Sequence, residues 1–435
     1  MRSSSWLEAA PIVNFIFGTM STLEKNAEHG ERDAIFWLGV VLCLVYLSYR
    51  YPLQVNDSGT SPTYSDTPAI LQAGKFVLAV PLVVVSLFRG LWISLKLSKW
   101  QLAVCAVFLC SFSSLKVLQE QDTQYVGLTF WMLFGLSLAL AAGRVTTSGI
   151  DRCFRAVLWY SFASTFVQVV LFLVFDRRPA LAFGGYAVRF GGFLDDPNGF
   201  PAILFLLMGW SHERYRGRTR FLVLTALVVC LFLTQSWTAI GFFLILLFLI
   251  LLIWAFRRPM TAIAAVASLP VVGILALRLA PLFQTGFLLE VLEQKRLSLE
   301  GHIFPWEFWA SRWRDWVLLG DWKYNAYESW WQAAMVNFGL LWFVAFLGLV
   351  IALMASMFRV YLKSTSEARP VFAGLLFFGV YFIVGSMNLP FPIVFPLNAL
   401  FFLFFFLVAF GKISTDRGHT PSMRAAQRLA KATGE

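Results

Sequence analysis

WTAIGFFLILLFLILLIWAF, residues 237–256, runs without a charge and stops at Arg257-Arg258. At 1.5 Å rise per residue a helix of that length covers about 30 Å, the thickness of a bilayer's hydrocarbon. Working outward, apolar runs between charge clusters recur at 34–49, 72–88, 100–118, 125–143, 153–175, 199–212, 221–235, 261–280, 337–358, 370–388 and 393–411. With 237–256 they predict about twelve transmembrane helices, the sixth and seventh short. Composition agrees: 59% of residues are hydrophobic, 14% are charged, and mean hydropathy is +0.70. Those values exclude an ordinary soluble domain and describe an all-α polytopic membrane protein.

The net charge of +11 does not point to nucleic acid. With the N-terminus inside, 23 of the 35 Lys and Arg fall on the cytoplasmic side, clustered at Arg89/Lys96/Lys99, Arg144/Arg152/Arg155, Arg214–Arg220, Arg257/Arg258, Arg359/Lys363/Arg369 and beyond Lys412. This is the positive-inside bias, and it puts both termini in the cytoplasm. The chain divides into a cytoplasmic N-terminal segment, 1–33, a membrane domain, 34–411, and a basic cytoplasmic tail, 412–435. Within 1–33, Trp6–Met20 is apolar but holds Glu8, Pro11 and Asn14, so it reads as interfacial rather than as a span or a cleavable signal. The five cysteines lie in or beside spans, which implies neither a disulfide framework nor a metal-ligand spacing.

One interruption is too large to be a connection alone. Residues 281–336 face outward and hold seven of the 17 tryptophans, five basic and seven acidic residues, and His302. Phe287–Leu297 reads as an amphipathic helix carrying Lys295 and Arg296. In the next helix Trp306, Trp309, Trp313 and Trp316 recur at spacings of 3, 4 and 3, one face of a helix. That stripe suits a helix lying in the membrane interface, or a platform for sugar rings or a polyprenyl chain. Gly320–Ser329, with Tyr324, Asn325 and Glu328, leads through Gln332 to Asn337-Phe-Gly-Leu340, and its polar residues suit either caps or chemistry.

Other outward segments have two readings each. In Arg189-Phe-Gly-Gly-Phe-Leu-Asp-Asp-Pro-Asn198, Asp196 suits an N-cap with Pro197 at the first helical position, while a turn has no need of Arg189. Thr234, Gln235, Ser236 and Thr238 suit a tight turn at the outer junction of two spans. Arg278 either snorkels to the interface or binds an anion at headgroup depth.

In order, these segments resemble the O-antigen polymerase and ligase superfamily of bacterial inner-membrane glycosyltransferases. The Arg-x-x-Gly-x-x-x-Asp-Pro-Asn pattern is met by Arg189–Asn198, the Thr-x-Ser turn by Thr234–Ser236, and the Asn-Phe-Gly-Leu pattern by Asn337–Leu340. The chain departs where the family has an arginine at Trp237, and where ligases carry a His-Asn pair it has Tyr324-Asn325 followed by Glu328-Ser329. The resemblance covers roughly residues 150–410. It implies a GT-C-like fold with a helical, Trp-rich periplasmic loop, and a polysaccharide polymerase acting on undecaprenyl-diphosphate-linked oligosaccharides as donor and acceptor. A ligase that transfers polymer to a lipid A core is the near alternative, and a transporter or flippase the distant one. The absence of internal repeats and of carboxylates within the spans counts against transport.

On this reading Arg189, Arg278 and Arg296 hold the diphosphate, and Asn198, Tyr324, Asn325 and Trp316 line the substrate. Glu328 or His302 takes the acceptor's proton. No cofactor or metal is expected, no Asp-x-Asp motif being present. Membrane lipids and a chain-length regulator are the expected further partners, and nucleic acid is not.

Overall fold

The computed structural model describes residues 36–43, 69–94, 100–120, 126–143, 145–175, 190–194, 199–257, 311–320, 330–386 and 396–414. They form twelve labelled helices: α1 (Ala69–Ser94), α2 (Trp100–Glu120), α3 (Val126–Ala141), α4 (Thr147–Phe175), α5 (Phe200–Arg214), α6 (Gly217–Leu233), α7 (Trp237–Arg257), α8 (Trp313–Trp316), α9 (Trp330–Phe338), α10 (Leu340–Lys363), α11 (Arg369–Gly385) and α12 (Leu397–Ala409). Residues 36–43 are also helical, and Gly192–Leu194 makes one 3-10 turn. The helical class therefore stands. Two helical segments, Thr147–Val174 and Leu340–Lys363, are long and apolar enough to cross a membrane. The run expected at 261–280 lies outside the described residues.

The bundle is built around helices that are apolar on every side. Every residue of α12 is buried, as are most of α3, α5 and α11. α5 runs against α11, and α12 against α3 and α10. The α5–α11 crossing is tight because two glycines meet backbone. A Cβ on Gly209 would stand 2.7 Å from the Ala373 carbonyl oxygen, and one on Gly374 would stand 2.9 Å from that of Leu206. Small residues at a crossing let dispersion contacts form along the whole interface. The outer helices turn apolar side chains away from the bundle: Val77 and Phe88 on α1, Phe108 on α2, Phe166 and Leu173 on α4, Phe248 on α7, and Leu341 and Ile351 on α10 are all exposed.

Among the described residues ion pairing gathers at one end, the arginine-rich end. Asp151 of α4 accepts from the Trp210 indole N–H at 2.8 Å and pairs with Arg155 at 3.0 Å and Arg214 at 3.3 Å. Glu213 accepts from the Tyr361 hydroxyl at 3.3 Å and faces Arg369 at 3.7 Å, so the ends of α4, α5, α10 and α11 are tied together. Val145–Thr146 (β1) pairs in parallel with Ile413–Ser414 (β2), register Val145↔Ile413. The Lys412 ammonium donates to the carbonyls of Leu140 and Ala142, where α3 ends and its last carbonyls lack helical partners.

Candidate functional site

Antiparallel neighbours carry the remaining junctions to the opposite end of the bundle, the loop end. α5 begins there, α6 and α7 join there, and α11 finishes there. Just beneath it Phe205, Phe242 and Tyr381, from α5, α7 and α11, pack with ring centroids 4.6–5.5 Å apart.

The first element above is the flank of the Arg189 loop. Gln168, buried on α4, donates through Nε2 to the Gly192 carbonyl at 3.1 Å and accepts from the Gly192 N–H at 3.0 Å. Gly192 has φ +55°, and a Cβ there would run into the Phe200 ring, so the turn admits only glycine. Phe193 stacks on Tyr160 at 4.9 Å. The helix expected to be capped by Asp196 and Pro197 starts later, at Phe200. Gly199 holds its N-cap position with no side-chain cap, and Pro201 occupies the first turn, where a missing N–H costs nothing.

The second element is the Thr234–Ser236 turn, which adopts the expected bend. Thr234 donates its hydroxyl to the Leu231 carbonyl at 2.7 Å and accepts from the Ser236 N–H at 3.2 Å, and Gln235 takes φ +49°. The Phe190 N–H donates to the Leu233 carbonyl at 3.1 Å. That bond brings the residue after Arg189 against the residue before Thr234, so residues 190–194 and the Thr234–Ser236 turn are neighbours.

The third element is the return of the large loop. A single helix was expected from about residue 337; instead α9 precedes it as a separate short helix. The Trp330 N–H donates to the Ser386 carbonyl at 3.1 Å, and the Trp331 indole to that of Ile383 at 3.1 Å, which seats α9 on the end of α11. Gly339, at φ +85°, breaks α9 from α10. Gly320, at φ +80°, crosses it there: a Cβ on Gly339 would overlap the Leu318 carbonyl, and one on Gly320 the Asn337 carbonyl. The Leu340 N–H donates to the Val317 carbonyl at 2.8 Å across this crossing.

Gln332 and Asn337, expected as polar residues near a helix start, are both fully buried. Among the described residues, Gln332 Nε2 and the buried Trp330 indole N–H meet no acceptor. A buried donor left unmatched costs about 1–3 kcal/mol, and native structures keep few of them.

Of the residues expected in the site, Arg189, Asn198, Arg278, Arg296, His302, Tyr324, Asn325 and Glu328 lie outside the described residues. Trp316 sits at the end of α8, one helical turn in length. In the same turn Trp313 is half exposed and lies under the Arg314 guanidinium at 5.6 Å. The rest of the tryptophan stripe, Trp306 and Trp309, is outside the description. Sequence reasoning missed Gln168; a lone amide within an apolar run, which membrane helices rarely keep without a partner, is the signal that could have found it. Among the described residues no group of three His, Cys, Asp or Glu could hold a metal ion. Neither the known family profiles nor the curated proteins compared with this chain give any match.

Proposed function

We propose that the chain is a multi-pass glycosyltransferase of the bacterial inner membrane which joins lipid-linked oligosaccharide repeat units at its periplasmic face. The loop end faces the periplasm and the arginine-rich end the cytoplasm, consistent with the charge bias. The observation that carries the reading is the Phe190–Leu233 hydrogen bond, with the seating of α9 on Ser386 beside it. Segments about forty to a hundred and fifty residues apart in the family pattern share one end of the bundle, above the Phe205–Phe242–Tyr381 triad.

The chemistry follows from the compartment. Outside the inner membrane no nucleotide sugar supplies the leaving group, so the donor carries its own diphosphate on a lipid. An acceptor hydroxyl attacks the anomeric carbon and gives its proton to Glu328 or His302. The bond to the diphosphate oxygen breaks, its electron pair stays on the diphosphate, and the anomeric centre inverts. Arg189, Arg278 and Arg296 hold the charge that develops, through bidentate, charge-assisted hydrogen bonds.

The test is purified full-length protein in detergent micelles, given a lipid-linked oligosaccharide and no added metal, with products read on a gel. A ladder of repeat-unit multiples supports the reading. Transfer only when a lipid A core acceptor is added would make the protein a ligase, and no new glycosidic bond from folded protein would overturn it.

A further inference from the structure

Helix α6 carries an exposed stripe that changes character along its length. Arg218, Phe221, Leu222, Thr225, Val229 and Phe232 recur at helical spacing, and all six are exposed. The opposite face, Leu227, Cys230 and Leu231, is buried. Arg216 and Arg220 flank Arg218 at the arginine-rich end and are exposed too. Among the described residues none of these three guanidinium groups reaches a carboxylate. The nearby acids are already engaged, Asp151 by Arg155 and Arg214, and Glu213 by Arg369. Immediately beyond the cations Phe221 is 69% and Leu222 55% exposed. From Phe221 to Phe232 the apolar stripe measures about 16 Å along the axis, close to one leaflet's hydrocarbon.

A stripe headed by Arg218, with Arg216 and Arg220 exposed at the same end of the helix and a leaflet's length of exposed hydrocarbon below, has the polarity of a phospholipid. We propose that it seats an anionic glycerophospholipid of the inner leaflet, the phosphate among Arg216, Arg218 and Arg220 and one acyl chain along Phe221, Leu222, Val229 and Phe232. The seat rests on the membrane reading above and is independent of glycosyl transfer. Guanidinium groups grip phosphate oxygens through paired hydrogen bonds, and an anionic leaflet concentrates the ligand at this depth. A zwitterionic headgroup brings its own ammonium to the same place and is held less. Inorganic phosphate lacks the chain that the apolar stripe covers.

The experiment follows thermal melting of the full-length protein in a neutral detergent with phosphatidylglycerol, phosphatidylcholine or inorganic phosphate added. Phosphatidylglycerol is expected to raise the melting temperature by several degrees and the other two by far less. Arg216→Ala/Arg218→Ala/Arg220→Ala should lose at least half of that rise, the triple Lys variant should keep most of it, and Phe221→Ser/Leu222→Ser should reduce it with the arginines intact. Equal shifts from the two lipids, the same shift from inorganic phosphate, or an undiminished shift in both the Ala and Ser variants would overturn the proposal. Failure of the membrane reading shows separately, as release of the protein from membranes by alkaline carbonate without detergent.

Discussion

The Gln168 side chain pairs with both backbone groups of Gly192, at 3.1 and 3.0 Å, as a neighbouring strand would. An amide inside an apolar helix is costly unless both its donor and its acceptor are met, and here one glycine meets both. The pairing fixes where the chain that follows Arg189 comes down on α4 and α5. Gln168→Leu removes both bonds and leaves the Gly192 N–H and carbonyl buried without partners, a loss of about 2–4 kcal/mol. The expected outcome is a lower melting temperature in detergent and, if the proposed polymerase function holds, a collapse of polymer yield, with insertion retained. Wild-type melting and yield in Gln168→Leu would show that the pairing does not hold the loop.

The crossing of Gly320 and Gly339 makes a second, backbone-level demand. Both residues have positive φ, and each would push a Cβ into the other strand's carbonyl. At φ 85°, ψ 164° Gly339 occupies backbone space essentially reserved for glycine, so any side chain there costs about 1–3 kcal/mol before any overlap, and here the neighbour is main chain, which cannot swing aside. Gly339→Ala should therefore lose more stability than Gly348→Ala, a helical glycine of α10 with open space around its missing Cβ. Melting of the two variants side by side checks this, and equal losses would contradict it.

Much of the helical framework was legible because hydrocarbon length is a one-dimensional property. Runs such as 100–118 and 237–256 became α2 and α7 nearly to the residue. Position within the bundle was not legible. α12 and α7 are both apolar on every side, yet α12 is wholly buried while Leu244, Ile245 and Phe248 of α7 are exposed. A helix without a polar face gives no sign of its orientation, and its neighbours decide it. The break at Gly339 was hidden for a different reason: Trp330–Phe338 is apolar enough to read as a prelude to α10, and the Gly320 backbone that forces the break arrives from elsewhere in the chain. At the site, the turn chemistry of Thr234–Ser236 was visible in its residue types. The Gln168–Gly192 and Phe190–Leu233 contacts join residues far apart in sequence, and no local pattern encodes them.

Asp151 at the arginine-rich end separates charge from hydrogen bonding. Its two guanidinium partners are about half exposed, so those ion pairs add little, on the order of 0–1 kcal/mol. The Trp210 indole is fully buried and needs an acceptor. Asp151→Asn keeps an oxygen for the indole and should lose about 1 kcal/mol or less. Asp151→Leu strands the N–H and should lose about 1–3 kcal/mol more. The comparison is by melting in detergent at low and high salt. If Asn and Leu are equally damaging, the ion pairs and not the indole bond hold the junction.

Lys412, just beyond α12, ties that end of the chain to the end of α3. Its ammonium meets carbonyls of Leu140 and Ala142 at the C-terminus of α3, and its own carbonyl accepts from the Val145 N–H at 2.8 Å. A cation at a partly buried helix C-terminus contributes up to about 2 kcal/mol. Lys412→Met keeps the aliphatic stem and removes only the charge, so its loss should approach that figure, and Lys412→Arg should recover part of it. Undiminished melting in Lys412→Met would place the closure in the β1–β2 backbone pairing alone.

The three arginines assigned to the diphosphate give the most direct test of the proposed chemistry. If Arg189, Arg278 and Arg296 share the charge developing on the diphosphate, each Arg→Ala change should lower transfer about 100- to 1000-fold, the cost of losing one such donor. Arg→Lys keeps the charge but loses the bidentate fork, so it should restore activity only in part. Glu328→Gln and His302→Ala then separate the two candidates for the base, because only the true base should lower turnover with little change in donor binding. Melting of each variant guards against loss of fold. Wild-type chain lengths from all three alanine variants would remove the arginines from the mechanism, and full activity in both Glu328→Gln and His302→Ala would show that neither takes the proton.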